Sequence, residues 1–268
     1  MSDRDFHLHP PAARLLEGRR ALVTGATTGI GRGTAFELAA HGAAVAVNHR
    51  GRVDDARAMV QTIEAAGGRA VPVAMDVTVE DDVRRGFGEA REAFGGVDLL
   101  VNNAGIEKPF ELVDMPLDEW EKVIKVNLTG TFLCTREAAR IMRADGARGT
   151  IVMISSVHEV IPWERFSHYC ASKGAMKLFA QSVAKELARH GIRVVSIAPG
   201  AIATPINKDV LENPDERRKV EAEIPLGRWG EVSDVANAVA WAASEQAQYV
   251  VGATIFVDGG MTLYPNFV

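Results

Sequence analysis

Short apolar runs and amphipathic stretches alternate along this chain, and their order predicts an α/β protein with a parallel sheet. Residues 20–24 (RALVT) form a strand candidate that leads into a glycine-rich turn at 25–31, followed by a helical period to about His41. Strand 43–48, helix 54–66, strand 70–74 and helix 80–94 continue the alternation. A fourth strand covers 97–102, and a long helix containing Asn127 follows Asp118. Residues 149–154 (GTIVMI) read as a buried strand, a helix runs from about Ser167 to His190, and 191–197 read as the sixth strand. Helix 231–244 and strand 254–257 complete the series. No composition break or internal repeat divides the chain, so a single domain is expected over 18–268, after an N-terminal extension at 1–17. The charged, Pro-interrupted stretch within 203–228 predicts a short helical lid.

The glycine turn has the spacing G-x-x-x-G-x-G, with Gly25, Thr28, Gly29, Ile30 and Gly31 between a strand and a helix. In that context the glycines let backbone approach a pyrophosphate, and the helix N-terminus offers free N–H groups and positive dipole. A site specific for NAD carries an acid at the end of the second strand to hold the ribose 2′-hydroxyl. This chain has Asn48 there, with Arg50 just beyond and Arg32 after the glycine turn. Either arginine can pair with a 2′-phosphate or simply be solvated; the expectation is NADP, with NAD also usable. Asp76-Val77 follows the third strand, where the carboxylate can reach an adenine amino group or cap a helix. Asn102 and Asn103 can brace strand ends, while Ala104 and Gly105 leave room for a ribose. Pro199, Gly200, Ile202 and Thr204 fall at the carboxyl end of the sixth strand, the edge where ligands bind in such sheets.

Tyr169 and Lys173 stand four apart, which puts both on one face of a helix. An ammonium held beside a phenol favours the phenolate, so the Tyr169 pKa is expected to fall from about 10. Such a Tyr can exchange a proton with a substrate hydroxyl or carbonyl. A hydroxyl of Ser155-Ser156, at the end of the 149–154 strand, can hold the same oxygen from the other side. Asn127 in a helix interior is unfavourable by propensity, which points to a polar task such as bending the helix or holding a water.

Composition narrows the picture without changing it. The 268 residues are 47% hydrophobic and 24% charged, with a net charge of −5, which argues against a nucleic-acid binder. Cys134 and Cys170 are too few and too scattered for a disulfide framework or a metal site. With no long apolar run and no signal-like N-terminus, no membrane association and a cytoplasmic location are expected. The apolar tail at 261–268, with Tyr264 and Phe267, is expected at a subunit interface.

Taken together, TGATTGIG at 24–31, DV at 76–77, NNAG at 102–105, Asn127, Ser156, Tyr169-x-x-x-Lys173 and PG at 199–200 resemble the short-chain dehydrogenase/reductases over about 18–262. The resemblance implies a Rossmann-like doubly wound sheet of seven parallel strands, a nicotinamide cofactor and a homotetramer. It selects Ser156, thirteen residues before Tyr169, to fix the reacting oxygen. It makes Tyr169 the acid/base, gives Lys173 the nicotinamide ribose, and gives Asn127 the relay water. A closer resemblance, on SSVHE at 155–159, IPW at 161–163, GAIATPIN at 200–207 and DGGMTLYPNF at 258–267, is to bacterial glucose 1-dehydrogenases. It implies oxidation of β-D-glucose at C1 to the lactone, with Glu107, Ser156, His158 and Asn207 lining the sugar pocket. Lys108, beside Glu107, departs from that pattern and would shift sugar preference. The alternative is a ketoreductase of 3-oxoacyl thioesters or polyols, which shares the catalytic residues.

Overall fold

The computed structural model describes residues 14–146 and 148–263. Seven strands form one parallel sheet in the order β3-β2-β1-β4-β5-β6-β7. They are β1 (Arg20–Val23), β2 (Ala44–His49), β3 (Arg69–Ala74), β4 (Leu99–Asn102), β5 (Gly149–Ile154), β6 (Ile192–Pro199) and β7 (Thr254–Val257). The inner strands are short, Val/Ile/Leu-rich and buried on both faces, as a sheet covered by helices requires.

Alternate strand side chains serve two separate cores. On one face Val45, Val47, Leu99 and Val101 pack against α1 (Gly29–Ala40), α2 (Val53–Ala65) and α9 (Val232–Ala243). On the other, Ala46, Leu100, Ile151 and Met153 pack against α3 (Glu80–Phe94), α5 (Gly130–Ala144) and α6 (Ser167–Leu187). In α3 the buried Val83, Gly86, Phe87 and Ala90 fall at helical spacing, and its acidic first turn suits the helix dipole. Arg19 and Arg20 each bind Asp98 at 2.7 Å, tying β1 to the approach of β4 at the amino edge of the sheet.

The long helix after Asp118 is not regular. It comprises α4 (Leu117–Ile124), a π-helical turn at Lys125–Thr129 and α5, so Asn127 sits inside the π turn. The lid region consists of a 3-10 turn (Pro205–Asn207), α7 (Lys208–Glu212) and α8 (Pro214–Ala222). The strand order reverses between β1 and β4, and the carboxyl edge at that switch point is where a crevice opens. Residues 1–13 of the N-terminal extension, and Tyr264 and Phe267 of the tail, lie outside the described residues.

Candidate active site

At the carboxyl edge of β1 the chain turns sharply through Gly25 (φ +60°) and Gly29 (φ +51°) into α1. Gly25 is fixed by conformation and by space, because a Cβ there would stand 3.1 Å from Ala104 Cα. Asn48, buried at the end of β2, accepts a hydrogen bond from Gly25 N at 3.0 Å. Its amide donates to the carbonyls of Val73 (3.2 Å) and Met75 (3.0 Å), so one side chain joins the glycine turn to β3. Thr24 Oγ1 accepts from the backbone N–H groups of Asn103 (2.9 Å) and Ala104 (3.0 Å). No side chain caps the N-terminus of α1, and Thr28, Gly29 and Ile30 line a cleft of about 870 Å³. Small residues, uncapped helix amides and a cleft of this length fit a dinucleotide.

Gly31 does not line this cleft. A Cβ there would collide with Asn103 and the Gly25 carbonyl, so Gly31 lets α1 sit close to the sheet. Arg32, at the start of α1, has its guanidinium 5.5 Å from the centre of the Phe36 ring. Arg50 does face the cleft, largely exposed, 3.5 Å from Asp76 Oδ2. Asp76 Oδ1 accepts from the backbone (2.9 Å) and hydroxyl (2.8 Å) of Thr78, closing a turn before α3. Burial works to raise the Asp76 pKa, but the Thr78 bonds and Arg50 together hold it below the usual carboxylate value. Val77, Asn103, Ala104 and Gly105 continue the wall toward the centre.

Ser156, Tyr169 and Lys173 meet in the middle of the cleft. Ser156 leaves β5 in extended conformation (φ −167°), and its Oγ accepts from His158 N at 3.2 Å. Lys173, buried, donates to the Ile154 carbonyl at 2.8 Å and stands 5.5 Å from the centre of the Tyr169 ring. Burial pushes the Lys173 pKa down to about 8, against the opposing charges of Glu107 and Glu159. The Tyr169 pKa is raised by burial and by Glu107, and the Ser156 hydrogen bond only partly offsets this. The expected lowering by Lys173 is therefore outweighed. The ammonium is directed at a carbonyl, and desolvation of the phenolate dominates.

Asn127 is fully buried and does not line the cleft. Its Oδ1 accepts from Ile106 N (2.9 Å), and its amide donates to the Ile106 carbonyl (3.0 Å) and Ser172 Oγ (3.1 Å). The carboxamide is thus committed to holding the segment after β4 against α6, and it leaves no side-chain donor aimed at a water in the cleft.

Glu107, close enough to act on Tyr169 and Lys173, faces the cleft with its pKa raised by burial, an effect that Lys173 opposes. His158 is fixed by Nδ1 to the Ile161 carbonyl (3.2 Å) and stacks on Trp163 with ring centres 4.5 Å apart. Burial lowers its pKa, so the ring is neutral at pH 7. Asn207 donates to the Ile202 carbonyl at 2.9 Å. Pro199, Gly200, Ile202 and Thr204 line the floor below the lid. Lys108 is not part of the cleft: it pairs with Glu119 at 3.7 Å and lies over Phe110. Among the described residues no group of acidic, His or Cys side chains is arranged to hold a metal.

Several lining residues carry no motif. Trp163 stacks on Phe166 (3.7 Å between ring centres) and meets Tyr169 edge-on, forming an aromatic wall beside the reacting oxygen. Val210, Glu216, Lys219 and Val220 face the cleft from the lid, and Met261 from the turn after β7. The concentration of aromatics between Ser156 and Tyr169 was the one available signal for the wall.

The family model described as enoyl-(acyl carrier protein) reductase matches residues 25–262. The chain is 46% identical over 252 residues to 3beta-hydroxysteroid dehydrogenase 1 of Eggerthella lenta, covering 94% of this chain and 97% of that protein. It is 42% identical to glucose 1-dehydrogenase of Gluconobacter oxydans, over 93% of this chain and 94% of that one. Among solved structures, a gluconate 5-dehydrogenase of Burkholderia cenocepacia in complex with NADP and tartrate superimposes with a TM-score of 0.89 at 34% identity, covering 94% and 98% of the two chains. Among the described residues no helix is long and apolar enough to cross a membrane.

Proposed function

Because the chain belongs to the short-chain dehydrogenase/reductase family, we propose that it oxidises the C1 hydroxyl of an aldopyranose, β-D-glucose or a close relative, to the 1,5-lactone with NAD(P). The observation that carries this reading is the substrate end of the cleft. There Glu107 acts on Tyr169, the His158 ring meets Tyr169 edge-on at 6.1 Å, and Asn207 lines the same cleft, all with hydrogen-bonding groups. A pocket built to bond hydroxyls rejects analogues that lack them.

A bound oxidised nicotinamide supplies the hydride acceptor and a positive charge beside Tyr169. In this reading Ser156 Oγ holds the C1 oxygen, and the Tyr169 phenolate takes its proton as C1 gives up hydride. Lys173 would hold the nicotinamide ribose. Asn127 acts at one remove, by fixing the backbone at Ile106 beside Glu107. Gly25, Thr28, Gly29, Ile30, Asn103, Ala104 and Gly105 seat the pyrophosphate and ribose. Asp76 and Val77 border the adenine, and Arg50 favours NADP over NAD. Residues 203–228 close over the bound pair. Assembly as a homotetramer and a cytoplasmic location complete the proposal.

A second reading has its own support. His158 and Trp163 line the cleft beside Tyr169 and offer aromatic surface to a fused-ring alcohol, and one relative is named a 3beta-hydroxysteroid dehydrogenase. A substrate panel separates the readings: oxidation of D-glucose, other aldoses and a 3β-hydroxysteroid, and reduction of an acetoacetyl thioester. Turnover of aldoses at least tenfold above the rest is expected. A preference for the steroid or the thioester would overturn the sugar assignment and leave the family intact.

A further inference from the structure

Beneath the Ser156–Tyr169–Lys173 cluster lies a carboxylate that the reaction does not touch. Glu159 ends the short turn Val157–Glu159, and its side chain has no exposure to solvent. A buried carboxylate is costly unless it is paired, so its partners indicate its task. Oε2 accepts a 2.7 Å hydrogen bond from Ser155 Oγ. Oε1 has no hydrogen-bond donor and faces Lys177 Nζ at 3.4 Å. Lys177 follows Lys173 by one turn on the same face of α6. Ser155 lies between Ile154, whose carbonyl holds Lys173, and Ser156. The carboxylate therefore meets the catalytic cluster through the β5 terminus and through its field on Lys173, whose ammonium it favours against burial.

We propose that Glu159 is a positioning residue: shared between Ser155 and Lys177, it fixes the turn that presents Ser156 and serves as the buried countercharge of Lys173. Three groups face Lys173. Glu107 comes from the segment after β4, Glu159 from the turn after β5, and Tyr169 from its own helix. The π turn packed against α6 contributes the neutral Asn127 amide, and its one charged residue, Lys125, is exposed. Lys177 sets how much of the Glu159 charge Lys173 feels. The inference rests on the dehydrogenase reading and not on the sugar.

The test is kcat/KM against pH in the oxidative direction, with whichever substrate the wild-type enzyme turns over. Tyr169 and Lys173 titrate as a pair, and the acid limb reports the first proton that the pair loses, with Lys173 the more acidic partner. Glu159→Gln keeps the size and the acceptor for Ser155 but removes the charge, so the protonated pair is less favoured. The acid limb then moves down by about half a pH unit or more. Lys177→Met removes a neighbouring cation and leaves the Glu159 charge to the pair, so the limb moves up. Opposed shifts support the proposal. A uniform fall in kcat/KM with the limb in place overturns it and makes Glu159 a packing residue. If Glu159→Gln does not fold, Lys177→Met decides alone: an upward shift supports the proposal and an unmoved limb overturns it. Failure of the sugar reading shows separately, as wild-type enzyme silent with aldoses but active with another alcohol.

Discussion

Tyr169 and Lys173 define the chemistry at the residue scale. Tyr169→Phe removes the group that takes the proton, and the rate is expected to fall by about 10²–10⁴-fold while cofactor binding, read by fluorescence quenching, persists. The buried ammonium of Lys173 also leaves a signature in stability. Its pKa is about 8 in the folded chain against about 10.4 unfolded, so above pH 8 the unfolded state holds more protons and folding gains from rising pH. Above about pH 10 Tyr169, whose folded value lies higher than its ordinary one, works in the opposite direction. The stability of wild type relative to Lys173→Met should therefore rise between about pH 8 and 10 in denaturant titrations; a flat difference would show that the ammonium is not desolvated. Arg50 is the residue for cofactor choice. Arg50→Ala should weaken NADP by about ten- to a hundredfold and leave NAD nearly unchanged, since one charge-assisted bond is worth about 1.5–3 kcal/mol. Equal losses for both cofactors would remove Arg50 from the 2′-phosphate.

At the scale of elements, the π turn at Lys125–Thr129 sets the depth of the site. It places the Asn127 amide against both backbone groups of Ile106, which in turn hold the segment carrying Glu107. Asn127→Ala leaves those groups without partners and should cost about 1–3 kcal/mol of stability, together with activity. A variant as stable as wild type would contradict this bracing role. Much of the element plan was legible in the chain. The bounds of β5, β7 and α3 follow directly from apolar runs and helical period, because these elements are covered in the pattern their residues require. The glycine turn and the Tyr–Lys spacing were legible for the same reason, since both are local. The π turn was not, because its extra residue is stabilised by Ile106 and Ser172, which are distant in sequence. Nor was the placement of Arg32 over Phe36 or Lys108 over Phe110, since a long side chain chooses its partner after the fold has formed. The direction of the Tyr169 shift was not legible, because spacing reveals the neighbouring ammonium but not that Glu107 lies nearby or that Lys173 turns to the Ile154 carbonyl.

At the scale of the molecule, one sheet edge gathers Ser156, Tyr169 and Lys173, and among the described residues the outer helices carry exposed apolar side chains. Leu112, Val113 and Leu117 near α4, and Leu178 on α6, are exposed, while Phe132 and Phe179 meet edge-to-face between α5 and α6. These residues support self-association through that side of the molecule. Leu178→Glu should yield smaller species in sedimentation velocity than wild type; an unchanged assembly would move the interface elsewhere. Sugar oxidation through Tyr169 is tested by the appearance of reduced nicotinamide from D-glucose, with NADP and NAD supplied separately. Rapid reduction by wild type is expected, faster with NADP, and none above background by Tyr169→Phe. Silence of wild type with glucose and other aldoses, or full activity of Tyr169→Phe, would contradict it.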